Sequence, residues 1–489
     1  MFEVRSSAFM TTFSIQNFGC RATEADAASL RERLLAKGLT LSADEGAADV
    51  FVLNTCTVTA AADAQAREAV RKIHRASPSA RIVVAGCYAQ RAPEELAALP
   101  GVILVAGNSH IAEIPEVLVA LGTAGTPVLP GDSNFVSLSG IAEPMSLARG
   151  PAKILTGDIF AQGALSSSLS SIPSADRTRP ILKIQDGCNH RCSYCVIPFV
   201  RGRSRSLLPD AVAEQVRRFV SSGAKEIVLS GINLGSYGRD LSPRADLAGL
   251  VQRILAETAL ERLRFSSIEP QDLTRDFVSL AASSERIAPH FHVPLQSGSD
   301  RILRAMHRWY RAEHYAERIG LIREALPQAA IGADVIAGFP GETDEDFART
   351  LELIERLPFT YLHVFSFSPR PGTEAAQLGS PLREPLIHER ARTLRALGAK
   401  KAAAFRRSQS SRWEKALTLN RKGKDWTECL TGNYLSVRIA GWAPANSWCR
   451  VRITECVEEL AGAEFSSGRA FDREGSNAPQ ADAVALTRR

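Results

Sequence analysis

The chain runs through the same pattern twice: a short apolar run, a segment of helical period, then another apolar run. In the first stretch, strands are expected at Phe13–Phe18, Asp49–Asn54, Arg81–Ala85 and Val102–Ala106, with helices at Thr23–Lys37, Ala60–Arg75 and Pro93–Leu99. Alternation of this kind gives a parallel sheet covered by helices. The second stretch begins at Ile181. Its strand candidates are Ile181–Gln185, Glu226–Ser230, Arg262–Ser267, His290–Leu295, Ile331–Ala337 and Tyr361–Phe365, with helices such as Asp210–Ser222 and Thr343–Arg356 between them. This is too much for a small open sheet and too little for an eight-stranded barrel, so a partial (β/α)6 barrel is expected.

The fold class is therefore α/β, with an N-terminal parallel sheet domain over 12–125 and a central partial barrel over 177–405. Residues 126–176 lose the rhythm and turn rich in Ser, Pro, Gly and Ala, which reads as a linker with little sheet of its own. After about residue 390 a basic stretch (Lys400, Lys401, Arg406, Arg407, Arg412, Lys415, Arg421, Lys422, Lys424) precedes and accompanies strand-like runs at Ala416–Leu419, Tyr434–Ile439 and Cys449–Ile453. A small all-β barrel over 406–462 is expected, followed by a disordered polar tail, 463–489.

No segment has the apolar length of a membrane span, and Met1–Cys20 lacks the basic and apolar regions of a signal peptide, so no membrane partner and a cytoplasmic location are expected. Thiols stay reduced there. The chain's 9 cysteines then read as metal ligands or core residues rather than a disulfide framework. Its net charge of +6 permits an acidic partner such as RNA without demanding one.

Cys188, Cys192 and Cys195 follow directly on the first strand of the second stretch, at the carboxyl end where α/β barrels keep their chemistry. A 4Fe–4S cluster normally takes four thiolates, and three leave one iron open to a ligand. The alternatives are a zinc knuckle with His190 as fourth ligand, although zinc sites usually use separated Cys or Cys/His pairs, or a chance cluster of cysteines in a core. Cys20, Cys56 and Cys87 share a different property. Each lies just past the carboxyl end of a strand in the first stretch, so residues distant in sequence converge on one rim of the sheet. Buried structural cysteines are the alternative reading. Cys429, Cys449 and Cys456 show no ligand spacing and are expected in a core.

Cys-x-x-x-Cys-x-x-Cys after the first strand of a partial barrel resembles the radical S-adenosylmethionine (SAM) superfamily. Gly19-Cys20, Asn54-Thr55-Cys56-Thr57-Val58 and Ala85-Gly86-Cys87-Tyr88-Ala89-Gln90-Arg91 ahead of it are similar to the methylthiotransferase family, over about residues 12–460. The resemblance implies two 4Fe–4S clusters, SAM as cofactor, a terminal RNA-binding β-barrel called the TRAM domain, and a low-potential electron donor. Cys188, Cys192 and Cys195 would hold the radical-generating cluster, and Cys20, Cys56 and Cys87 an auxiliary one that holds or donates sulfur. Tyr194 would serve as a partner for the adenine or as a core residue. Gly231 and Asn233 fall where the superfamily often has a Gly-Gly-Glu-like turn meeting the methionine amino group, here without the Glu. Gly338, in Gly332–Glu342, would let backbone approach the adenine. Thr23 and Ala27 stand where the family usually has Asn and Ser, which leaves the surroundings of Cys20 open.

Within the family, Arg201–Ser206, Ser230–Asp240 and Arg264–Pro270 resemble the subgroup acting on N6-threonylcarbamoyladenosine beside the tRNA anticodon. The implied function is sulfur insertion and methyl transfer at carbon 2 of that nucleoside in tRNA. Methylthiolation of a ribosomal-protein aspartate, or an RNA-binding iron–sulfur sensor without turnover, are the alternatives. Arg203 and Arg205 suit a phosphate or the threonyl carboxylate, or else a solvated loop. Trp413, Trp426, Tyr434, Trp442 and Trp448 suit base stacking or the interior of the small barrel.

Overall fold

The computed structural model describes residues 11–44, 46–120, 152–163, 165, 178–379, 381–456 and 480–486. It divides into two compact units, 1–163 with 196–203, and 164–195 with 204–489.

The first unit is a fully parallel six-stranded sheet in the order β2-β1-β3-β4-β5-β6. The strands are β1 (Thr12–Asn17), β2 (Thr40–Leu41), β3 (Val50–Thr55), β4 (Arg81–Gly86), β5 (Val102–Gly107) and β6 (Lys153–Leu155). All of β3 is buried, as its continuous apolar run requires of a strand covered on both faces. Phe51, Leu53, Ile82 and Val84 pack toward helix Ala60–Ala76, while Val50, Val52, Val83 and Ala85 pack on the other face against Leu30 and Leu34 of helix Arg21–Ala36. Strand β6 lies in the segment read as a linker and extends the sheet.

In the second unit, β7 (Ile181–Asp186), β9 (Glu226–Gly231), β10 (Arg262–Phe265), β11 (His290–His292), β12 (Ala330–Ala337) and β13 (Tyr361–Ser366) run parallel in chain order, with short β8 (Arg205–Ser206) antiparallel on β7. Two parallel bridges, Leu263↔Ile287 and Ser267↔His292, join the β10 and β11 edges. The result is the expected open barrel. Residues such as Ile227, Leu229, Leu263, Phe265, Phe291, Ala333 and Val335 pack outward into the helical layer, so the alternate residues line the lumen.

Helix Glu384–Ser408 leads to a closed five-stranded barrel, β14 (Trp413–Lys422), β15 (Trp426–Thr431), β16 (Ser436–Ala440), β17 (Trp448–Cys456) and β18 (Gln480–Leu486), in the order β14-β15-β16-β18-β17. Strand β18 falls in the stretch expected to be a disordered tail. It pairs with both β16 and β17 and closes the barrel. The barrel interior holds Ala416, Cys429, Leu435, Val437, Ile439, Cys449, Val451 and Ile453. Two of the three late cysteines are thus core residues; the Cys456 side chain lies outside the described residues.

Buried charge ties this barrel to β10. Arg264 Nε donates to Glu226 Oε1 at 2.7 Å, and its Nη atoms donate to the carbonyls of Thr431 and Gly432; Arg262 Nη2 donates to the Lys415 carbonyl at 2.8 Å. Tyr434 stacks on His290 with ring centroids 4.0 Å apart. No helix among the described residues is long and apolar enough to cross a membrane.

Candidate iron–sulfur sites

In the second unit, Gln185 at the end of β7 organises the cysteine loop. Its Nε2 donates to the Gly187 carbonyl at 2.7 Å, and its Oε1 accepts from the Asn233 amide at 2.8 Å, joining the ends of β7 and β9. A Cβ on Gly231 would meet Gln185 Oε1 at 2.9 Å, so close approach of this glutamine explains the glycine. Cys188 Sγ accepts from the His190 amide and Cys192 Sγ from Arg308 Nη1, each at 3.4 Å. Arg308 is buried and paired with Glu269. Burial pushes the Cys188 thiol up to about 11, reinforced by Cys192 and Glu269. Cluster binding displaces that proton, because only the thiolate is a ligand.

The His190 ring nitrogen meets two side-chain amides: Nε2 lies 3.5 Å from Asn233 Nδ2 and 3.3 Å from Gln271 Nε2, both donors. Burial, aided by Arg308, lowers its pKa and favours the neutral, accepting ring. Among the described residues neither cysteine triplet brings its three sulfurs within 4.8 Å of one another.

Asn233 matters for a different reason. Its Oδ1 is buried and has no hydrogen-bond partner. A buried acceptor of this kind costs stability unless a ligand supplies a donor. It sits beside Cys188, where the superfamily's usual Glu is missing. Tyr194 packs against Ile302, Met306, Ile336 and Phe339, which places its ring among apolar side chains next to the cysteine loop. Gly338 has φ +78°, and the space its Cβ would fill is taken by Ile387. Packing therefore accounts for this glycine.

In the first unit, Cys20 caps helix Arg21–Ala36, Cys56 follows β3, and Cys87 opens the short helix after β4. A Cβ on Gly19 would lie 2.8 Å from Cys56 Cβ, so the glycine lets the Cys20 turn close onto Cys56. Burial pushes Cys56 up to about 12, and the charges of Cys87 and Cys20 add to it; the three thiols feel one another. Thr23 Oγ1 donates to the Cys20 carbonyl at 2.7 Å, so the Thr that replaces the usual Asn still braces this cysteine. Asn108 Nδ2 lies 3.4 Å from Cys87 Sγ. Arg201, buried and paired with Asp26 at 2.8 Å, also counters the burial of Cys87.

Arg201, Asn108, Arg308 and Glu269 all touch or brace thiols, and none was singled out in that role from sequence. Arg201 lay inside a motif read for its neighbours. Of those neighbours, Arg203 is exposed, and Arg205 lies 3.9 Å from Asp186.

Residues 182–354 match the radical SAM superfamily, and residues 12–107 match the uncharacterized protein family UPF0004. The chain is 35% identical over 440 residues to threonylcarbamoyladenosine tRNA methylthiotransferase MtaB of Aquifex aeolicus, covering 90% of this chain and 99% of that one. It is 36% identical over 378 residues to tRNA-2-methylthio-N(6)-dimethylallyladenosine synthase of Syntrophobacter fumaroxidans, covering 76% of each. Among solved structures, the radical SAM methyltransferase TsrM of Kitasatospora setae, with cobalamin and a [4Fe-4S] cluster bound, shares the fold at TM-score 0.50 and 15% identity, over 75% of this chain and 77% of that one.

Fold and cysteine loop define a radical SAM enzyme. More narrowly, the chain belongs to the radical SAM methylthiotransferase family. Its cofactors are SAM and 4Fe–4S clusters. The residues present fit them: two sets of three thiols at the carboxyl ends of parallel strands, and beside one set the unpartnered Asn233 carbonyl oxygen.

Proposed function

We propose that this chain is a tRNA methylthiotransferase acting at carbon 2 of N6-threonylcarbamoyladenosine next to the anticodon. The observation that carries this reading is the end-to-end match to the Aquifex aeolicus enzyme, which spans 99% of that protein. Cys188, Cys192 and Cys195 hold the cluster that binds SAM, and Cys20, Cys56 and Cys87 hold the second. When bound, the reduced cluster supplies one-electron chemistry to SAM. The chain's own part is to hold the thiols, to donate to Cys192 through Arg308, and to offer Asn233 Oδ1 to the amino group of the methionine moiety. A low-potential electron donor and a cytoplasmic setting complete the reading.

Asn233→Ala is expected to weaken SAM binding about 10- to 100-fold, the worth of a hydrogen bond to a charged group, with iron content unchanged. Equilibrium dialysis with SAM measures it; unaltered affinity removes Asn233 from the site.

The small barrel supports an RNA substrate. Trp442 is 63% exposed and Trp413 is 42% exposed, contrary to an interior filled with aromatics. Lys422 lies 5.6 Å from the Trp442 ring and Arg450 5.3 Å from Trp413. Base stacking is worth about 1–3 kcal/mol per aromatic. Trp442→Ala is therefore expected to weaken tRNA binding at least about fivefold, read by filter binding at fixed salt, while leaving SAM affinity intact.

Mass spectrometry of tRNA nucleosides from cells with and without the gene tests the substrate. Loss of the methylthio group from threonylcarbamoyladenosine supports the reading. Loss from dimethylallyladenosine, or from a ribosomal peptide instead, overturns it.

A further inference from the structure

A third group of metal-ligating side chains lies in the second unit, away from the cysteines in sequence. His292 ends β11, Asp334 sits in β12 and His363 in β13. Parallel pairing sets Asp334 opposite His363, and sets His292 opposite Gly332, two residues before Asp334 on the same face. Their neighbours Phe291, Ala333, Val335, Leu362 and Val364 pack toward the helices, so the three side chains face the lumen. His292 Nε2 lies 2.9 Å and His363 Nδ1 3.3 Å from the same oxygen, Asp334 Oδ1, and all three ligand atoms lie within 4.8 Å of one another.

We infer that His292, Asp334 and His363 form a binding site for a divalent transition-metal ion, distinct from both cysteine triplets. Metal–ligand arms of about 2.0–2.2 Å at octahedral to tetrahedral angles put donor atoms roughly 2.9–3.5 Å apart, which matches both measured separations. Two imidazoles and one carboxylate form a donor set suited to iron(II), zinc or cobalt rather than magnesium or calcium. The far nitrogen of His292 is held: its Nδ1 lies 3.0 Å from the Tyr361 hydroxyl, which also lies 2.8 Å from His290 Nε2. Such a partner orients a ligating imidazole. Gly332 makes room for it, because a Cβ there would overlap the Tyr361 ring. The His363 side chain is 56% exposed, so an ion can enter without opening the core.

The test uses the anaerobically reconstituted full chain, both cysteine triplets occupied and the clusters oxidised to their diamagnetic state. Cobalt(II) is added, excess is removed by desalting, and bound cobalt is read by elemental analysis and low-temperature EPR. Stoichiometric cobalt with imidazole-nitrogen coupling is expected in the wild type. His363→Ala and Asp334→Asn should each lose it while both clusters keep their iron and sulfide, and Tyr361→Phe should bind at least about tenfold more weakly. Because His363 is exposed, its replacement does not threaten the core. Cobalt that washes out of the wild type, or that both ligand variants retain equally, overturns the site and leaves a hydrogen-bonded His–Asp–His cluster.

Discussion

Alanine at Cys188, Cys192 and Cys195 is expected to abolish deoxyadenosine release from SAM, whereas alanine at Cys20, Cys56 and Cys87 should preserve it. Each triple variant should keep about four of roughly eight irons, and neither should yield methylthiolated product. The asymmetry follows from where the ligands lie. The first set sits on the loop after β7, beside the unpartnered Asn233 oxygen, whereas the second belongs to a separate unit with its own core. Cys20 is exposed while Cys56 and Cys87 are buried, so single replacements should grade. Cys20→Ala leaves two buried thiols and a weakly held cluster, and Cys87→Ala additionally disturbs Asn108 and Arg201. Iron analysis together with chromatography of deoxyadenosine after dithionite reduction reads both outcomes. Loss of SAM cleavage from the Cys20/Cys56/Cys87 variant, with four irons retained, would contradict the assignment.

Glu226→Ala should produce the largest loss of stability of any single change away from the clusters. Glu226 is fully buried, with Arg264, Arg262 and Arg179 within 3.4 Å. Burial opposes its ionisation, but the charges of Arg264, Arg179 and Arg262 outweigh that and hold the carboxyl down at about 2. Removing it strands Arg264, itself fully buried, at a cost of about 3–5 kcal/mol, or on the order of 10 °C in melting temperature. Because the same arginines donate to carbonyls of the small barrel, limited proteolysis should release that barrel sooner in the variant. The pH dependence has a definite sign. The folded-state pKa is depressed, so the stabilisation is complete above the ordinary value of 4.5 and is lost as pH falls toward about 2. The wild type should lose this margin in acid, and Glu226→Gln should lack it already at neutral pH. Equal melting of wild type and Glu226→Gln at neutral pH would show that the network is not holding the unit together.

The longer strands of both parallel sheets were legible because each is a continuous or alternating apolar run, whereas the two-residue strands β2 and β8 are too short to carry any pattern. The two cysteine triplets were legible for the same reason, since their positions past strand ends are a matter of pattern. What escaped lacks that pattern. Strand β15 buries Thr427, Glu428 and Thr431, with Glu428 satisfied by Ser436 at 2.5 Å and Arg421 at 3.2 Å; apolar alternation cannot reveal a strand that buries polar groups on both faces and pairs them. Strands β6 and β18 are defined by the strands they pair with, Leu104–Ala106 and β16 with β17, rather than by a pattern of their own. The supports of the thiols were illegible because they are remote in the chain: Arg308 reaches Cys192 across 116 positions and Glu269 across 39. Asn233 was visible as a departure from the usual Glu, but only the structure shows its carbonyl oxygen buried without a partner.

Two clusters, each gripped by three thiolates, are what the proposed chemistry requires of this chain. Counting iron, acid-labile sulfide and zinc in the anaerobically reconstituted wild-type chain tests this most directly. About eight irons and about eight sulfides per chain are expected, with no zinc at the cysteines. A count of four irons, or zinc bound in place of iron at either triplet, would contradict it.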